Sequence, residues 1–254
     1  MPRTLVKAIK IIEAIASNQP VEVKRLSKLV KVPLPTAYRF ISMLEENGYV
    51  ARSAENGKYR LGLAFVKLGA MALRPFHLSE FARPILREIA ASTGESVSLQ
   101  IRRGSEAICI DYVESEHSIR LSQRIGQVTP LYVGSGPKLL LAYATEEERE
   151  SLIRAMALKK IGPKTITSKV ELRRRLQEIR QRGYDVSEEE MTEGARGVAV
   201  PIFGSAGHVV AALSVSGLKY RMGKDAIAKA LKILKGASKR LSGQLPLESV
   251  SLIR

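Results

Sequence analysis

Residues Pro33 to Val50 read PLPTAYRFISMLEENGYV. Ala37, Phe40, Ile41 and Leu44 fall at i, i+3, i+4 and i+7, which is one face of a helix. Pro35 suits a first turn, where its missing N–H is no loss, and Gly48 stands where helices end. Thr36, Tyr38, Arg39, Ser42 and Met43 fall off the apolar face, whereas Glu45 and Glu46 sit at the far end. A helix N-terminus carries partial positive charge. The layout therefore predicts that the start of this helix faces an anion.

Upstream, TLVKAIKIIEAIAS reads as a helix with Thr4 as N-cap and Leu5, Ala8, Ile9, Ile12, Ile15 and Ala16 turned inward. Asn18 to Pro20 break it, and Val23 to Leu29 form a second helix with Leu26 and Leu29 inward. Lys31-Val32-Pro33 is a tight turn. Downstream, Tyr49 to Ser53 and Lys58 to Leu61 read as strands joined at Asn56-Gly57, a pair that tolerates positive φ. Three helices and a hairpin over residues 1–62 predict a winged helix-turn-helix. Its second motif helix would enter the major groove with Thr36, Tyr38, Arg39 and Ser42. Lys24, Arg25, Lys28 and Lys31 would meet the phosphates, and Arg52, Lys58 and Arg60 would arm the wing. Singly, Tyr38 could pack on a neighbour and Arg39 could be a solvated helix residue. The cluster as a whole is what points to double-stranded DNA.

The bulk numbers agree. The 254 residues carry 41 Lys and Arg against 25 Asp and Glu, a net charge of +16 that favours a polyanionic partner. No apolar run is long enough to cross a bilayer, so no membrane partner is expected. The first residues are too interrupted by charge for a secretory segment, and the single cysteine, Cys109, allows no intrachain disulfide. A cytoplasmic location is the expectation.

Leu63 to Leu73 reads as an apolar-faced helix stopped by Arg74-Pro75, which makes residues 63–75 a linker. Residues 76–254 alternate helices and strands. Helices are expected over Ser79–Ser92, Gly136–Ala144, Glu146–Ala157, Val170–Gln181 and Asp225–Leu241. Val97–Arg102 pairs with Ala107–Val113 around Arg103-Gly104, Arg120–Ile125 adds a short strand, and Val198–Phe203 pairs with Val209–Ser216 around Gly204–Gly207. Helices on a largely antiparallel sheet predict an α+β domain.

Catalytic constellations are missing from the sequence. His77, His117 and His208 have no His or Cys close by, and Cys109 in AICIDYV reads as a small buried hydrophobe. Glu188, Glu189 and Glu190 read as a solvated acidic turn. No P-loop or dinucleotide fingerprint occurs. The expectation is a protein that is not an enzyme and needs no metal or cofactor.

Taken in order, VPLPTAYRFISMLEENGYV, GKYRLG, TGESVSL, YVES, RIGQVTPLYVGSGPKLLLA, RGYDVSEEEMTEGARGVAVPIF and AALSVSG resemble an IclR-type transcriptional regulator over nearly the whole chain. The resemblance implies a winged-helix domain, a dimerising linker helix and a GAF-like effector-binding domain. It also implies homodimers or homotetramers on palindromic operators, with a small organic or aromatic acid as effector. Carried over residue by residue, it assigns effector contacts to the N–H groups of Ser135 and Gly136 and to the hydroxyls of Ser214 and Ser216. Three positions depart from the family pattern: Gly197 stands where cysteine is frequent, Ser187 where an acidic residue is frequent, and Pro137 where glycine is expected. The glycines of GSGPK before an apolar helix independently suit backbone recognition of an anion, although an ordinary helix start reads the same way. Ser214 and Ser216 likewise fit plain polar-face strand residues.

Two functional readings follow. In the first, a small molecule modulates the operator binding of a sequence-specific regulator, with repression as the expected direction. In the second, the protein is a constitutive or architectural DNA binder whose C-terminal domain only oligomerises. The basic helix bearing Arg173, Arg174, Arg175, Arg180 and Arg182 motivates the second.

Overall fold

The computed structural model describes residues 3–73, 78–204 and 207–242. The chain divides into two compact units, Met1–Arg74 and Pro75–Arg254.

In the first unit, α1 (Arg3–Asn18), α2 (Val23–Val30) and α3 (Leu34–Glu46) precede the hairpin β1 (Val50–Arg52) and β2 (Tyr59–Leu61), and α4 (Ala64–Leu73) follows. Ile11, Ile15, Leu26, Ala37, Ile41, Val50 and Tyr59 form one core. Inward assignments in two helices are corrected. The buried stripe of α1 runs through Ile11 and Ile15, while Leu5 and Ile9 are exposed; in α2 Leu26 is buried and Leu29 is exposed. Both helices carry apolar residues on more than one side, so packing against the other helices chooses the inner face. Thr4 lies within α1 rather than ahead of it.

The wing differs from a two-residue turn. Only Gly57 of the Asn-Gly pair has a positive φ, +63°. The connection runs from Ser53 to Lys58, with Ser53 N–H donating to Lys58 O at 2.8 Å and Asn56 Oδ1 accepting from Lys58 N–H at 3.0 Å. Asn56 thus stabilises the bend through its side chain. Val21 exchanges hydrogen bonds with Tyr59 and ties the wing to the start of α2. Arg74 and Pro75, read as the stop after the linker helix, lie outside the described residues.

The second unit comprises α5 (Leu78–Thr93), β3 (Ser96–Arg103), β4 (Glu106–Val113), β5 (Val128–Pro130), α6 (Ser135–Ala142), α7 (Glu146–Ala155), α8 (Lys169–Arg182), β6 (Asp185–Glu188), β7 (Ala195–Phe203), β8 (Val209–Leu218) and α9 (Lys224–Ser242). The six strands are ordered β5-β4-β3-β8-β7-β6 and every neighbouring pair is antiparallel. Successive strand residues point to opposite faces. On one face Val97, Leu99, Val198, Val200, Leu213 and Val215 pack under α5 and α9. On the other, small residues such as Ala199 and Ala212 let α6 approach, backed by Leu172, Leu176 and Ile179 of α8. All eight residues of α6 are buried, Ser135 and Lys138 among them.

Two expectations fail here. Arg120–Ile125 forms no strand. Its backbone is engaged by side chains instead: Leu121 O accepts from the Tyr112 hydroxyl at 2.8 Å and from Ser96 Oγ at 3.1 Å. The acidic run is no solvated turn either. Glu188 pairs with Arg196 in the β6–β7 ladder, and Glu190 is buried. The Gly204–Gly207 turn falls partly outside the described residues. No helix among the described residues is long and apolar enough to cross a membrane.

Candidate nucleic-acid interface and ligand cavity

In the first unit, Lys31 ends α2 in the left-handed conformation at φ 55°, which turns the chain sharply into α3. Ser27 Oγ donates to Val32 O at 2.6 Å and Val32 N–H returns to Ser27 O at 3.0 Å, so the turn is closed from both sides. Burial of Ala37 and Ile41 then fixes the rotation of α3. Tyr38, Arg39, Ser42 and Met43 stand exposed on its outer side, with Thr36 half-buried beside them. Lys24, Arg25 and Lys28 are exposed along α2. Among the described residues none of these cations forms an ion pair with a carboxylate, although Arg25 reaches Asn18 Oδ1 at 3.4 Å. On the hairpin, Arg60 is exposed and Lys58 is half-buried. Arg52 folds back over the Tyr59 ring at 5.9 Å and donates to Gly57 O.

In the second unit, α6 begins over the sheet and leaves a cavity of about 310 Å³ beyond its first turn. Ser135, Gly136, Ser187, Gly197, Ser214 and Ser216, widely separated in sequence, all line it. The floor follows from strand register. Ser98 faces Ser214 across β3 and β8, Gly197 faces Ser216 across β8 and β7, and Ser187 faces Gly197 across β7 and β6. The Ser98 and Ser214 hydroxyls lie 2.8 Å apart. At Gly197 a Cβ would sit 3.1 Å from Ser135 Oγ and 3.3 Å from Ser187 Oγ, a tight fit that a shift of a few tenths of an ångström in those hydroxyls would relieve. Gly136 is more constrained: its Cβ would fall 2.0 Å from Gln100 Oε1, so the buried Gln100 side chain would have to move.

Two features of the cavity were not singled out from the sequence. Glu190 accepts from Gly134 N–H at 2.8 Å and is bound by Lys138, whose side chain is fully buried. Lys138 Nζ also lies 3.3 Å from Asp185 Oδ2, close enough to pair although poorly aligned for a hydrogen bond. Asp185 is bound in turn by Arg175 of α8. Burial pushes the Glu190 carboxyl above its ordinary range, while Lys138 and the Gly134 N–H pull it down. The second feature is Gln100, whose Oε1 is buried without a hydrogen-bond partner. Its position was hinted at by the polar alternation Ser96, Ser98, Gln100 in SVSLQIRR. Both arginines lining the cavity are already engaged, Arg120 with Glu114 and Arg196 with Glu188. The Cys109 thiol is buried and pushed up to about 12 by burial and the neighbouring Asp111 charge, so it is no nucleophile. No group of three or more metal-ligating side chains comes together among the described residues; His77 lies outside them.

Residues 4–54 match the IclR helix-turn-helix domain, and residues 70–243 match the C-terminal domain of the bacterial transcriptional regulator IclR. The chain belongs to the IclR family of transcriptional regulators. It is a helix-turn-helix DNA-binding regulator, not an enzyme. The HTH-type transcriptional regulator KdgR of Escherichia coli K12 is 31% identical over 242 residues, covering 95% of this chain and 92% of KdgR. The HTH-type transcriptional repressor AllR of the same strain is 29% identical over 227 residues, covering 89% and 84%. Among solved structures, the Thermotoga maritima IclR shares 34% identity with a TM-score of 0.79, over 96% of this chain and 99% of that one. An IclR homolog of Microbacterium hydrocarbonoxydans, crystallised with 4-hydroxybenzoate, shares 25% identity with a TM-score of 0.83, over 95% and 98%.

Proposed function

We propose that this IclR-family protein is a repressor that binds a palindromic operator as a homodimer or homotetramer and changes its operator affinity when a small organic acid occupies the C-terminal cavity. The observation that carries this reading is the cavity at the start of α6, lined by Ser135 and Gly136, with the buried Gln100 Oε1 left unpartnered beside Gly136. Free N–H groups at a helix start favour an anion, and a buried orphan acceptor calls for a donor. The repressor named AllR and the homolog crystallised with 4-hydroxybenzoate support the two halves of the reading by analogy. Thr36, Tyr38, Arg39 and Ser42 would read bases, Lys24, Arg25 and Lys31 would hold phosphates, and Arg52, Lys58 and Arg60 would steady the wing. Ser135, Gly136, Ser187, Gly197, Ser214 and Ser216 would receive the effector. Effector binding would act by favouring one arrangement of the paired DNA-binding domains over another.

The test is selection of bound fragments from a genomic pool at near-physiological salt, with the wild type and with Thr36→Ala/Arg39→Ala. A palindromic motif recovered by the wild type and lost by the double variant supports sequence-specific recognition through α3. Broad enrichment without a motif would replace it with the architectural reading. Repeating the selection with candidate acids tests the effector half.

A further inference from the structure

Half of the chain's positive excess lies outside the helix-turn-helix unit. Residues 75–254 hold 28 of the 41 basic residues and 20 of the 25 acidic ones. Helices α8 and α9 each carry six of those cations, but in different states. Four of the five arginines of α8 are matched from within the domain: Arg173 pairs with Glu150, Arg174 and Arg182 with Glu178, and Arg175 with Asp185. On α9 only Arg240 is paired, with Glu88. Lys224, Lys229, Lys232, Lys235 and Lys239 are exposed, and among the described residues none of them forms an ion pair.

The five lysines form one face. Ala230, Leu234, Ala237 and Leu241 bury the opposite side of α9 in the core. A rise of about 1.5 Å per residue spreads the lysines over roughly 22 Å. Asp225 is the only acidic residue of the helix. Lys229, Lys232, Lys235 and Lys239 follow one another at three or four positions, where like charges repel. A surface that serves solubility alone mixes the two signs and avoids this repulsion. Lys235 has one further contact, with its Nζ 5.4 Å from the centre of the Tyr184 ring. A row of unmatched ammonium groups fits the phosphate backbone of a duplex, which presents one negative charge per about 1.7 Å of axis. An anionic lipid surface fits less well, because the apolar side of α9 is already in the core and has nothing to insert. The chain also carries a helix-turn-helix that binds DNA, and two linked modules present their ligand to each other at raised effective concentration.

We propose that the outward face of α9 is a second, sequence-independent contact for the phosphates of duplex DNA. It adds affinity without adding base readout, since phosphate contacts carry no sequence information of their own. The inference depends on neither the operator nor the effector.

The test is fluorescence anisotropy of the full-length protein on a duplex of arbitrary sequence, about 60 bp long, across a salt series. In Lys229→Gln/Lys232→Gln/Lys235→Gln/Lys239→Gln the slope of log affinity against log salt should fall by at least about two. Arginine at the same four positions should keep the wild-type slope. Arg103→Gln/Arg124→Gln/Lys159→Gln/Lys160→Gln removes equal charge from exposed positions elsewhere in residues 75–254 and should leave the slope nearly as it was. An unchanged slope in the α9 glutamine variant would overturn the proposal. An equal fall in both glutamine variants would overturn it as well, because net charge rather than this face would then govern binding. A fall shared by the arginine variant would mark a disturbed fold and count the same way. Loss of polyglutamate binding by the α9 glutamine variant, with its DNA slope intact, would assign the face to an acidic protein instead.

Discussion

At the residue scale, position 197 shows how one missing side chain shapes a site. Two hydroxyls crowd the place where a Cβ would stand, so a branched side chain there would fill the space between α6 and the sheet. Gly197→Val should reduce effector affinity at least about tenfold, because the added side chain would take up cavity space that a bound ligand needs. β7 is a strand that tolerates valine, so operator binding by the ligand-free variant should match the wild type in a gel-shift assay. A variant that still shifts its Tm with ligand as the wild type does would remove Gly197 from the site. Tyr38, Arg39 and Ser42 illustrate the opposite case. Their outward placement was legible from spacing alone, because an apolar stripe on one side of a helix defines the other.

At the element scale, the buried chain from Arg175 on α8 through Asp185 on β6 and Lys138 on α6 to Glu190 locks three elements together. Lys138→Met should destabilise the domain by about 3–5 kcal/mol, because Glu190 and Asp185 would then face each other without the ammonium between them. Urea unfolding of the variant measures this, and a loss below about 1 kcal/mol would show that the chain is not structural. Nearby, Lys164, Arg196 and Lys219 hold the Glu188 carboxyl down at about 2, against an ordinary 4.5. A depressed folded-state value stabilises the fold above the unfolded value. That contribution is lost as pH falls from about 4.5 towards 2. Glu188→Gln should therefore flatten the decline of Tm across that window and leave the slope near neutrality unchanged. The run Glu188 to Glu190 read as a solvated turn because charge alone cannot reveal a buried lysine roughly fifty residues away.

At the scale of the whole molecule, a net charge of +16 makes the affinity for DNA an ionic quantity. If several of the basic residues on α2, the turn and the wing meet phosphates, affinity should fall by roughly 10³-fold or more between about 50 and 200 mM salt. Replacing Lys24 and Lys31 together by Gln should lower the slope of log affinity against log salt by about two. Fluorescence anisotropy across a salt series gives both numbers, and an unaltered slope would exclude those lysines from the phosphate contacts.

The sequence by itself determined what local physics controls. The three helices and wing of the first unit, the outward face of α3 and the paired strands around Gly104 follow from periodicity, proline, glycine and a short-range turn. The helix start at GSGPK and the alternation in AALSVSG were likewise visible as elements. The tertiary structure decided what lies across the sheet. It set Ser98 against Ser214, 116 residues away, and turned Leu5 and Ile9 outward while Ile11 and Ile15 went in. It left Arg120–Ile125 irregular and buried Glu190 on Lys138. Strand order and helix rotation are settled by packing between segments far apart in sequence, and no window of neighbouring residues records which distant partner will cover it.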